Sequence, residues 1–296
     1  PVTATFGTNF NFDAIQEIQF QTGGFEAEFG RATGGIVNLV TKSGGNSFSG
    51  TFDARYRDSG FQESGDHFDA DTQDTKYQRF DATLGGPIMR DRLWFFLSYS
   101  NIDSRSTPTG APVTRKFLSD YYLGKATWQI ADSWRTVLKY SGDPADIDNA
   151  NATQFRTPEA HRFQTQGGDI FSGELNAVLT DALLWNTTVG INRQELDSYP
   201  QTGNLEPIGR YNYDTAIYSV NYSNQQYSER NRDELATNLT WFVDDFGGSH
   251  EFKGGVELSN NEFISANCTT GTAGGVTCTP GVNGNFFYDV EDGGTQ

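Results

Sequence analysis

The chain has 296 residues, which is enough for one large domain or two average ones. Hydrophobic residues make up only 35% of it, and the longest apolar run, Leu93–Leu97, is far shorter than the roughly 18 residues of a transmembrane helix. The net charge of -17 argues against nucleic acid as a partner, because nucleic acid selects basic surfaces. A membrane role would therefore require a β-barrel, in which only alternate residues meet lipid.

Residues 1–45 differ from the rest of the chain. Ile15–Gln21 and Ile36–Thr41 are predicted strands, and glycine pairs at Gly34–Gly35 and Gly44–Gly45 flank the second one. The nearly continuous apolar residues of Ile36–Thr41 favour a strand that is buried on both faces. We therefore expect a separate unit at this end of the chain.

From Asn46 onward, nine segments alternate apolar and polar residues. A period of two is typical of a strand with one apolar and one solvated face. In the last segment, Phe252, Val256 and Leu258 share one face, opposite Lys253 and Glu257. The nine predicted strands are Ser47–Arg57, Tyr77–Gly85, Leu93–Asp103, Tyr121–Ile130, Trp134–Ser141, Asp169–Leu179, Leu183–Gln194, Asp233–Val243 and Ser249–Phe263.

The connections between these strands are alternately short and long. Compact soluble domains rarely contain several long loops, whereas an outer-membrane barrel has short periplasmic turns and long extracellular loops. The pattern predicts an all-β chain forming part of an antiparallel transmembrane β-barrel, with the long loops outside the cell. The predicted long connections are 58–76, 104–120, 142–168, 197–232 and 264–296.

Four of the five tryptophans lie within a few residues of a short turn, namely Trp128, Trp134, Trp185 and Trp241. Amphipathic rings favour the level of the lipid headgroups, so this placement indicates an interfacial girdle. The alternative is that these rings form the core of a soluble β-sandwich. The two interpretations differ in whether the rings face outward or into a packed interior.

Two blocks of sequence resemble TonB-dependent outer-membrane receptors, most closely the Oar-like group. The first block is similar to the end of the plug domain, and the second to the first periplasmic turn and third barrel strand. Together they cover roughly Ile15–Ser100 and stand in the expected order. The first block consists of Glu17–Gln21, Glu26–Arg31, Thr33–Asn38 and Val40–Gly44, and the second of Leu84–Ile88 and Asp91–Tyr99.

The resemblance implies a plug inside a barrel of about 22 strands, with the TonB system supplying energy. Residues 1–45 would be the C-terminal part of the plug domain, and 46–296 the N-terminal part of the barrel. About nine strands cannot close around a plug, so we expect an incomplete segment that cannot transport by itself.

The implied function is energised uptake of a sugar, peptide or metal chelate across the bacterial outer membrane. The implied partners are outer-membrane lipid, an extracellular substrate of unknown identity, and the TonB complex, which would bind an N-terminal part outside this sequence. One alternative is an outer-membrane barrel for adhesion or surface display. Another is a soluble carbohydrate-binding β-sandwich.

The plug-like motif contains six candidate site residues. Its glycines permit backbone conformations or close packing that a Cβ would forbid. Its charged residues are expected to contact arginines that strand parity places on the lumen side of the barrel wall. The motif residues are Glu26, Glu28, Gly30, Arg31, Gly34 and Gly35, and the wall arginines are Arg55, Arg57 and Arg79.

The two cysteines, Cys268 and Cys278, lie ten residues apart in a segment rich in glycine and threonine. Their spacing fits no common zinc pattern, so a local disulfide is favoured over a metal site. A disulfide would imply an oxidising compartment or the cell surface.

No motif indicates an enzyme. The three histidines stand in no serine, cysteine or metalloprotease signature, and no cofactor or resident metal is predicted. Asp69, Asp71 and Asp74 could ligate calcium through their carboxylates, although they do not follow the EF-hand order. A solvated acidic loop is the alternative for these three residues.

Overall fold

A computed structural model describes residues 11–22, 36–61, 75–244 and 247–271. These residues form strands almost throughout, with one-turn 3-10 helices at Phe12–Ala14, Ser59–Phe61 and Pro158–Ala160. None of the helices in the described part is long and apolar enough to cross a membrane. The strands are β1 Ile15–Gln21, β2 Ile36–Thr41, β3 Ser49–Asp58, β4 Thr75–Met89, β5 Leu93–Ser106, β6 Arg115–Ala131, β7 Trp134–Gly142, β8 Ala145–Asp148, β9 Arg162–Thr180, β10 Leu183–Pro200, β11 Arg210–Asn212, β12 Ile217–Ser219, β13 Asn224–Val243 and β14 His250–Thr269.

One antiparallel sheet dominates the described part of the chain. Its order is β14-β13-β10-β9-β7-β6-β5-β4-β3, and each of the nine predicted alternating segments is a strand of it. β8 continues the line of β7 after a break at Asp143 and Pro144 and pairs with both β6 and β9. Proline lacks the amide hydrogen that a sheet needs, which accounts for a break there. β1 and β2 form a separate ribbon, and β11 and β12 a separate hairpin.

Several strands are longer than their alternating patterns predicted. β13 and β14 have 20 residues each, so at about 3.3 Å per residue each spans about 65 Å along its axis. Even when tilted by about 45°, such a strand extends well beyond an apolar band about 25 Å tall. Backbone pairing continues where the side chains have become polar. The connections are therefore shorter than predicted. The connection between β5 and β6 spans residues 107–114, whereas the sequence predicted 104–120.

The two faces of the sheet differ in what covers them. On one face, Phe96 and Leu123 are buried in a cluster with Ala14, which comes from the segment before β1. On the opposite face, Phe52 and Val256 remain 75% and 59% exposed. Exposed apolar side chains distributed over a whole sheet face are typical of a wall that meets lipid. Further members of this outward face include Leu84, Leu97, Leu138, Phe171, Val189, Leu235, Leu239 and Leu258.

The four tryptophans near the short turns all lie on this outward face, as strand parity requires. Trp134 and Trp185 contact each other edge to face, with ring centroids 6.0 Å apart. Trp128 and Trp241 are about half exposed. This arrangement fits an interfacial girdle and does not fit the packed core of a sandwich.

The prediction that Ile36–Thr41 is buried on both faces is wrong for its described side chains. β2 pairs with β1 in a two-stranded ribbon, and Val37 is 59% exposed. Thr41, a polar residue, is the most buried of the strand's described side chains. The hydrogen bonds that join the described part of the ribbon to the wall lie at the end of β2 near Thr41, and Val37 further along the ribbon stays accessible.

Candidate functional site

The β1–β2 ribbon is attached to the inner face of the sheet at one end. The Asn11 side-chain amide donates a hydrogen bond to the Ser98 hydroxyl at 2.9 Å. The Lys125 ammonium donates to the backbone carbonyl of Thr41 at 2.9 Å and contacts its hydroxyl at 3.3 Å. These contacts join residues 84 to 87 positions apart in the chain, so they define a tertiary interface between ribbon and wall.

Local structure explains how the ribbon presents these groups. Asn11 precedes the one-turn helix Phe12–Ala14, and its side-chain oxygen accepts the amide hydrogen of Asp13 at 3.0 Å. The same side chain therefore caps the helix and holds Ser98. The Lys42 amide donates to the Ala14 carbonyl at 2.8 Å, which closes the ribbon at this end. A cavity of about 10 Å³ lies between ribbon and wall, which is at the lower limit of the volume that holds one water molecule.

The three predicted wall arginines lie on the inner face, as strand parity indicated, but each already has a neighbour on the wall. Arg79 pairs with Asp81 through two hydrogen bonds of 2.7 and 2.9 Å, and the Asp81 side chain is 1% exposed. Arg55 pairs with Asp53 at 2.7 Å. Arg57 lies 5.9 Å from the centre of the Tyr77 ring.

The charged contacts that we predicted between plug-like motif and wall remain a prediction, because the motif lies outside the described residues. The same holds for the calcium interpretation of the acidic loop. Cys268 is disulfide-bonded, but Cys278 is also outside the described residues, so the pairing of the two remains a prediction. The residues concerned are Glu26, Glu28, Gly30, Arg31, Gly34, Gly35, Asp69, Asp71 and Asp74.

A second candidate region lies beyond the long-loop ends of the strands, around the β11–β12 hairpin. The segment before the 3-10 helix at Pro158 runs alongside β12: the Tyr218 amide donates to Phe155 at 2.9 Å, and the Thr157 amide donates to Tyr218 at 3.0 Å. Arg156 and Tyr218 form a parallel bridge. The two long connections are therefore joined into one small three-stranded unit above the barrel wall.

Tyrosines cover one side of this unit, and we refer to Tyr211, Tyr213 and Tyr218 as the aromatic platform. The Tyr211 ring lies 4.5 Å from that of Tyr218 and 5.0 Å from that of Tyr213. The Arg156 guanidinium lies 4.1 Å from the centre of the Tyr218 ring, within cation–π range. Tyr213 is 90% exposed, so the platform presents at least one ring face to the outside.

A buried histidine directly follows the 3-10 helix at Pro158. His161 is fully buried, and its ring Nδ1 lies 3.1 Å from the Pro158 carbonyl, to which a protonated nitrogen would donate. Burial lowers the pKa of His161, and the nearby Arg156 guanidinium acts in the same direction. A hydrogen bond of 2.7 Å from the Thr157 hydroxyl lowers the pKa of Glu159. Both hydrogen bonds lie within the segment around Pro158.

The segment from Arg210 to Ser219 is a short hairpin. Its two strands are three residues each and reverse through Ala216, whose φ is 57°. Val220 also has a positive φ of 73°, which is unusual for a β-branched residue. Such conformations persist only where the surrounding structure imposes them.

Sequence reasoning missed Lys125, Asn11 and Ser98 as contact residues. Strand parity does place Lys125 and Ser98 on the inner face, and that signal was available. Their partners on the ribbon could not be identified, because the contacts depend on where the ribbon lies along the wall.

Comparisons with known proteins agree with this architecture. A family model described as an outer membrane beta barrel domain matches residues 40–114. The TonB-dependent transporter Oar of Myxococcus xanthus is 37% identical over 105 residues, which are 32% of this chain and 10% of that protein. The resemblance to TonB-dependent outer-membrane receptors is confirmed. The chain forms β-barrel wall in the bacterial outer membrane.

One solved structure is similar in fold to this chain, and a second aligns with it less well. The outer membrane transporter YddB from Escherichia coli has a TM-score of 0.54 at 14% identity, over 87% of this chain and 41% of that one. The siderophore receptor PiuA from Acinetobacter baumannii has a TM-score of 0.42 at 10% identity, over 90% of this chain and 54% of that one. The chain thus spans only part of each protein it resembles.

Proposed function

We propose that the protein carrying this chain is a TonB-energised receptor that takes up an extracellular substrate, and that it is not an enzyme. Residues 1–45 are the end of its plug and 46–296 the first part of its barrel. The observation that carries the proposal is the attachment of the β1–β2 ribbon to the sheet face opposite the lipid-facing one. A segment held on the inner face of a transport barrel lies in the path of the substrate.

The chemistry of this attachment suits a plug that must move. Within the described residues, it combines a small apolar contact at Ala14 with side-chain hydrogen bonds from Asn11 and Lys125. A hydrogen bond contributes only about 1 kcal/mol net, or about 1.5–3 kcal/mol when one partner is charged. Such an interface holds the ribbon at rest and yields to a mechanical pull without unfolding the wall.

The aromatic platform is the proposed place of first contact with substrate. Its tyrosines are rigid, offer both apolar faces and hydroxyl groups, and lie in the connections on the extracellular side. Arg156 shows that the Tyr218 face accepts a planar cation. Sugars, peptides and metal chelates all present groups that can stack on such rings, so the substrate class is a matter for experiment.

The experiment compares uptake by cells that have or lack a functional TonB complex. Cells expressing the full-length protein are given labelled oligosaccharides, peptides and metal chelates, and accumulation inside the outer membrane is measured. We expect accumulation of one class that is lost without TonB and reduced in Tyr213→Ala. Uptake that persists without TonB would refute the energised mechanism. Loss of surface attachment together with normal uptake would instead support the display function.

A cross-link tests whether the ribbon must move. Cysteines replacing Asn11 and Ser98, whose side chains are in hydrogen-bond contact, can be joined by a short thiol-specific linker. Cross-linking should abolish uptake, and cleavage of the linker should restore it. Either single-cysteine variant, treated in the same way, serves as the control. Full uptake with the linker in place would show that this end of the ribbon stays on the wall during transport.

A further inference from the structure

A row of polar side chains crosses five neighbouring strands on the lumen face, close to the short turns. Each member is the direct cross-strand partner of the next, over β6, β7, β9, β10 and β13. Direct partners point to the same side of a sheet. Gln129 follows Lys125 by four residues in β6, so the row faces the lumen as Lys125 does. We refer to Gln129, Arg135, Asn176, Asn186 and Asn238 as the amide row.

The tryptophan girdle marks the level of the amide row. Gln129, Arg135 and Asn186 each directly follow a tryptophan, whose ring points to the opposite face of the sheet. The tryptophans are Trp128, Trp134 and Trp185. The row therefore lies inside the barrel wall at the level of the periplasmic headgroups. A solute that crosses the lumen from outside meets it last.

The hydrogen bonds of the row leave its amide oxygens open. The Asn176 side-chain nitrogen donates to the Glu174 carboxylate at 2.7 Å, and the Gln129 side-chain nitrogen donates to the Ala131 carbonyl at 2.8 Å. An ionised carboxylate and a carbonyl only accept hydrogen bonds, so these partners fix which end of each amide is the nitrogen. The oxygen of each of the two amides accepts no hydrogen bond from the described residues.

The remaining members of the row continue this pattern. Asn186 donates to the Asn238 oxygen at 3.3 Å, and its own oxygen has no donor in the described ranges. Arg135 is exposed and makes no ion pair with any residue that the structure describes. The row thus offers the lumen a series of oxygen acceptors beside one guanidinium donor group.

An open cavity of about 250 Å³ runs along the amide row. Val178 and Leu184, which are direct cross-strand partners, line it on the side nearer the turn. The cavity therefore has a polar and an apolar side. Its volume is below the roughly 300 Å³ at which sites for whole drug-sized ligands begin. It suits one unit of a longer chain.

We propose that the amide row binds an uncharged oligosaccharide as it leaves the lumen. The inference rests on the proposed function and names its substrate class. Open acceptors require a ligand that donates, and sugar hydroxyls donate as well as accept. Arg135 supplies donors for ring and bridging oxygens. Neighbouring strands are about 4.8 Å apart, close to the length of one sugar unit, so successive units of a linear chain face successive strands.

The two other substrate classes fit the row less well. An anionic metal chelate presents acceptors and needs several cations, but Arg135 is the one cation of the row. A peptide bound to a sheet pairs with a free strand edge. The strands that carry the row are each paired on both sides, so their backbone offers a peptide no such edge.

The test titrates neutral linear hexasaccharides of glucose, mannose, galactose and xylose against the full-length protein in nanodiscs, with binding measured by saturation-transfer NMR. At least one should bind, and Asn176→Leu and Asn186→Leu should each lower its affinity about fivefold, the effect of one neutral hydrogen bond. Asn186→Asp keeps an oxygen acceptor and should retain binding. Asn260→Leu is the matched control, because strand parity places this exposed amide on the outward face.

Further probes make the outcome decisive. The permethylated form of the bound sugar keeps its oxygens but has no hydroxyl donors, so it should not bind. Circular dichroism and heat-dependent gel mobility should show that every variant is folded. Equal affinities in the wild type and folded Asn186→Leu, or an equal loss in Asn260→Leu, would overturn the proposal.

The assay contains no TonB, so its result is independent of the energised mechanism. If none of the sugars binds while a peptide or chelate is taken up in a TonB-dependent way, the amide-row proposal fails and the proposed function stands. Sugar binding that is weakened in Asn186→Leu, together with uptake that persists without TonB, would support the amide row and refute the energised mechanism.

Discussion

Replacing Lys125 by methionine should loosen the ribbon while leaving the barrel wall intact. Methionine keeps an unbranched, flexible stem of similar length but removes the ammonium that donates to Thr41. Lys125 is also the direct cross-strand partner of Lys139. The substitution therefore removes one favourable contact with the ribbon and one unfavourable contact within the wall.

The two effects have opposite signs and fall on different parts of the structure. A hydrogen bond with a charged donor contributes about 1.5–3 kcal/mol, and the 3.3 Å contact with the Thr41 hydroxyl adds little. We take about 2 kcal/mol, since Lys125 is only half-buried, which is about a 30-fold change in the docking equilibrium. Loss of the Lys125–Lys139 repulsion should leave the wall unchanged or slightly more stable.

Amide hydrogen exchange in the full-length protein measures both effects at once. Protection of the amides in β1 and β2 should fall by about 30-fold, while protection in β6 and β7 is kept or rises. Lys139→Met is the matched control, because Lys139 faces the same side but has no hydrogen bond to the described part of the ribbon. Unchanged protection of the ribbon in Lys125→Met, or an equal loss in Lys139→Met, would refute this account of docking.

Three other predictions concern the wall and the platform. Val189→Arg on the outward face should lower folding stability by about 2–4 kcal/mol in a urea titration, and the adjacent inward-facing Thr188→Arg by much less. Arg156→Ala should raise hydrogen exchange at the Tyr218 amide, because a cation–π contact contributes about 0.5–2 kcal/mol. Burial lowers the pKa of His161 in the folded state. The contribution of neutral His161 to folding stability is therefore complete above about pH 6.5 and is lost as the pH falls. His161→Gln should remove this pH dependence, as measured by amide hydrogen exchange between neutral and acidic pH.

Each of these three has an outcome that would count against it. Equal losses of folding stability in Thr188→Arg and Val189→Arg would mean that the two faces of β10 do not differ in environment. Unaltered hydrogen exchange at the Tyr218 amide in Arg156→Ala would show that the cation–π contact does not stabilise the platform. A pH dependence that survives in His161→Gln would show that another group is responsible for it.

The sequence predicted the nine wall strands and their outward faces, because lipid imposes one apolar side chain in every two residues. Phe52, Leu97 and Val256 were placed correctly on this basis. The ends of the strands were not predictable from the same signal. Beyond the hydrocarbon, polar side chains suit strand and loop alike, and only backbone pairing distinguishes the two.

The arginines of the inner wall show a second limit. Parity assigned Arg79 to the correct face, and its partner Asp81, two residues further on the same face, could have been found from the sequence alone. The partner of Lys125 could not, because nothing local relates it to Thr41.

What the sequence by itself determined is therefore the repeating, one-dimensional part of the protein: which segments are strands, which side of each meets lipid, and where the turns are short. Tertiary structure alone decided the contacts that carry the functional proposals. A shift of β5 by one residue, for example, would turn its outward-facing side chains, Leu97 among them, to the lumen. Register and docking are set by contacts between residues far apart in the chain, and a local pattern holds no information about them.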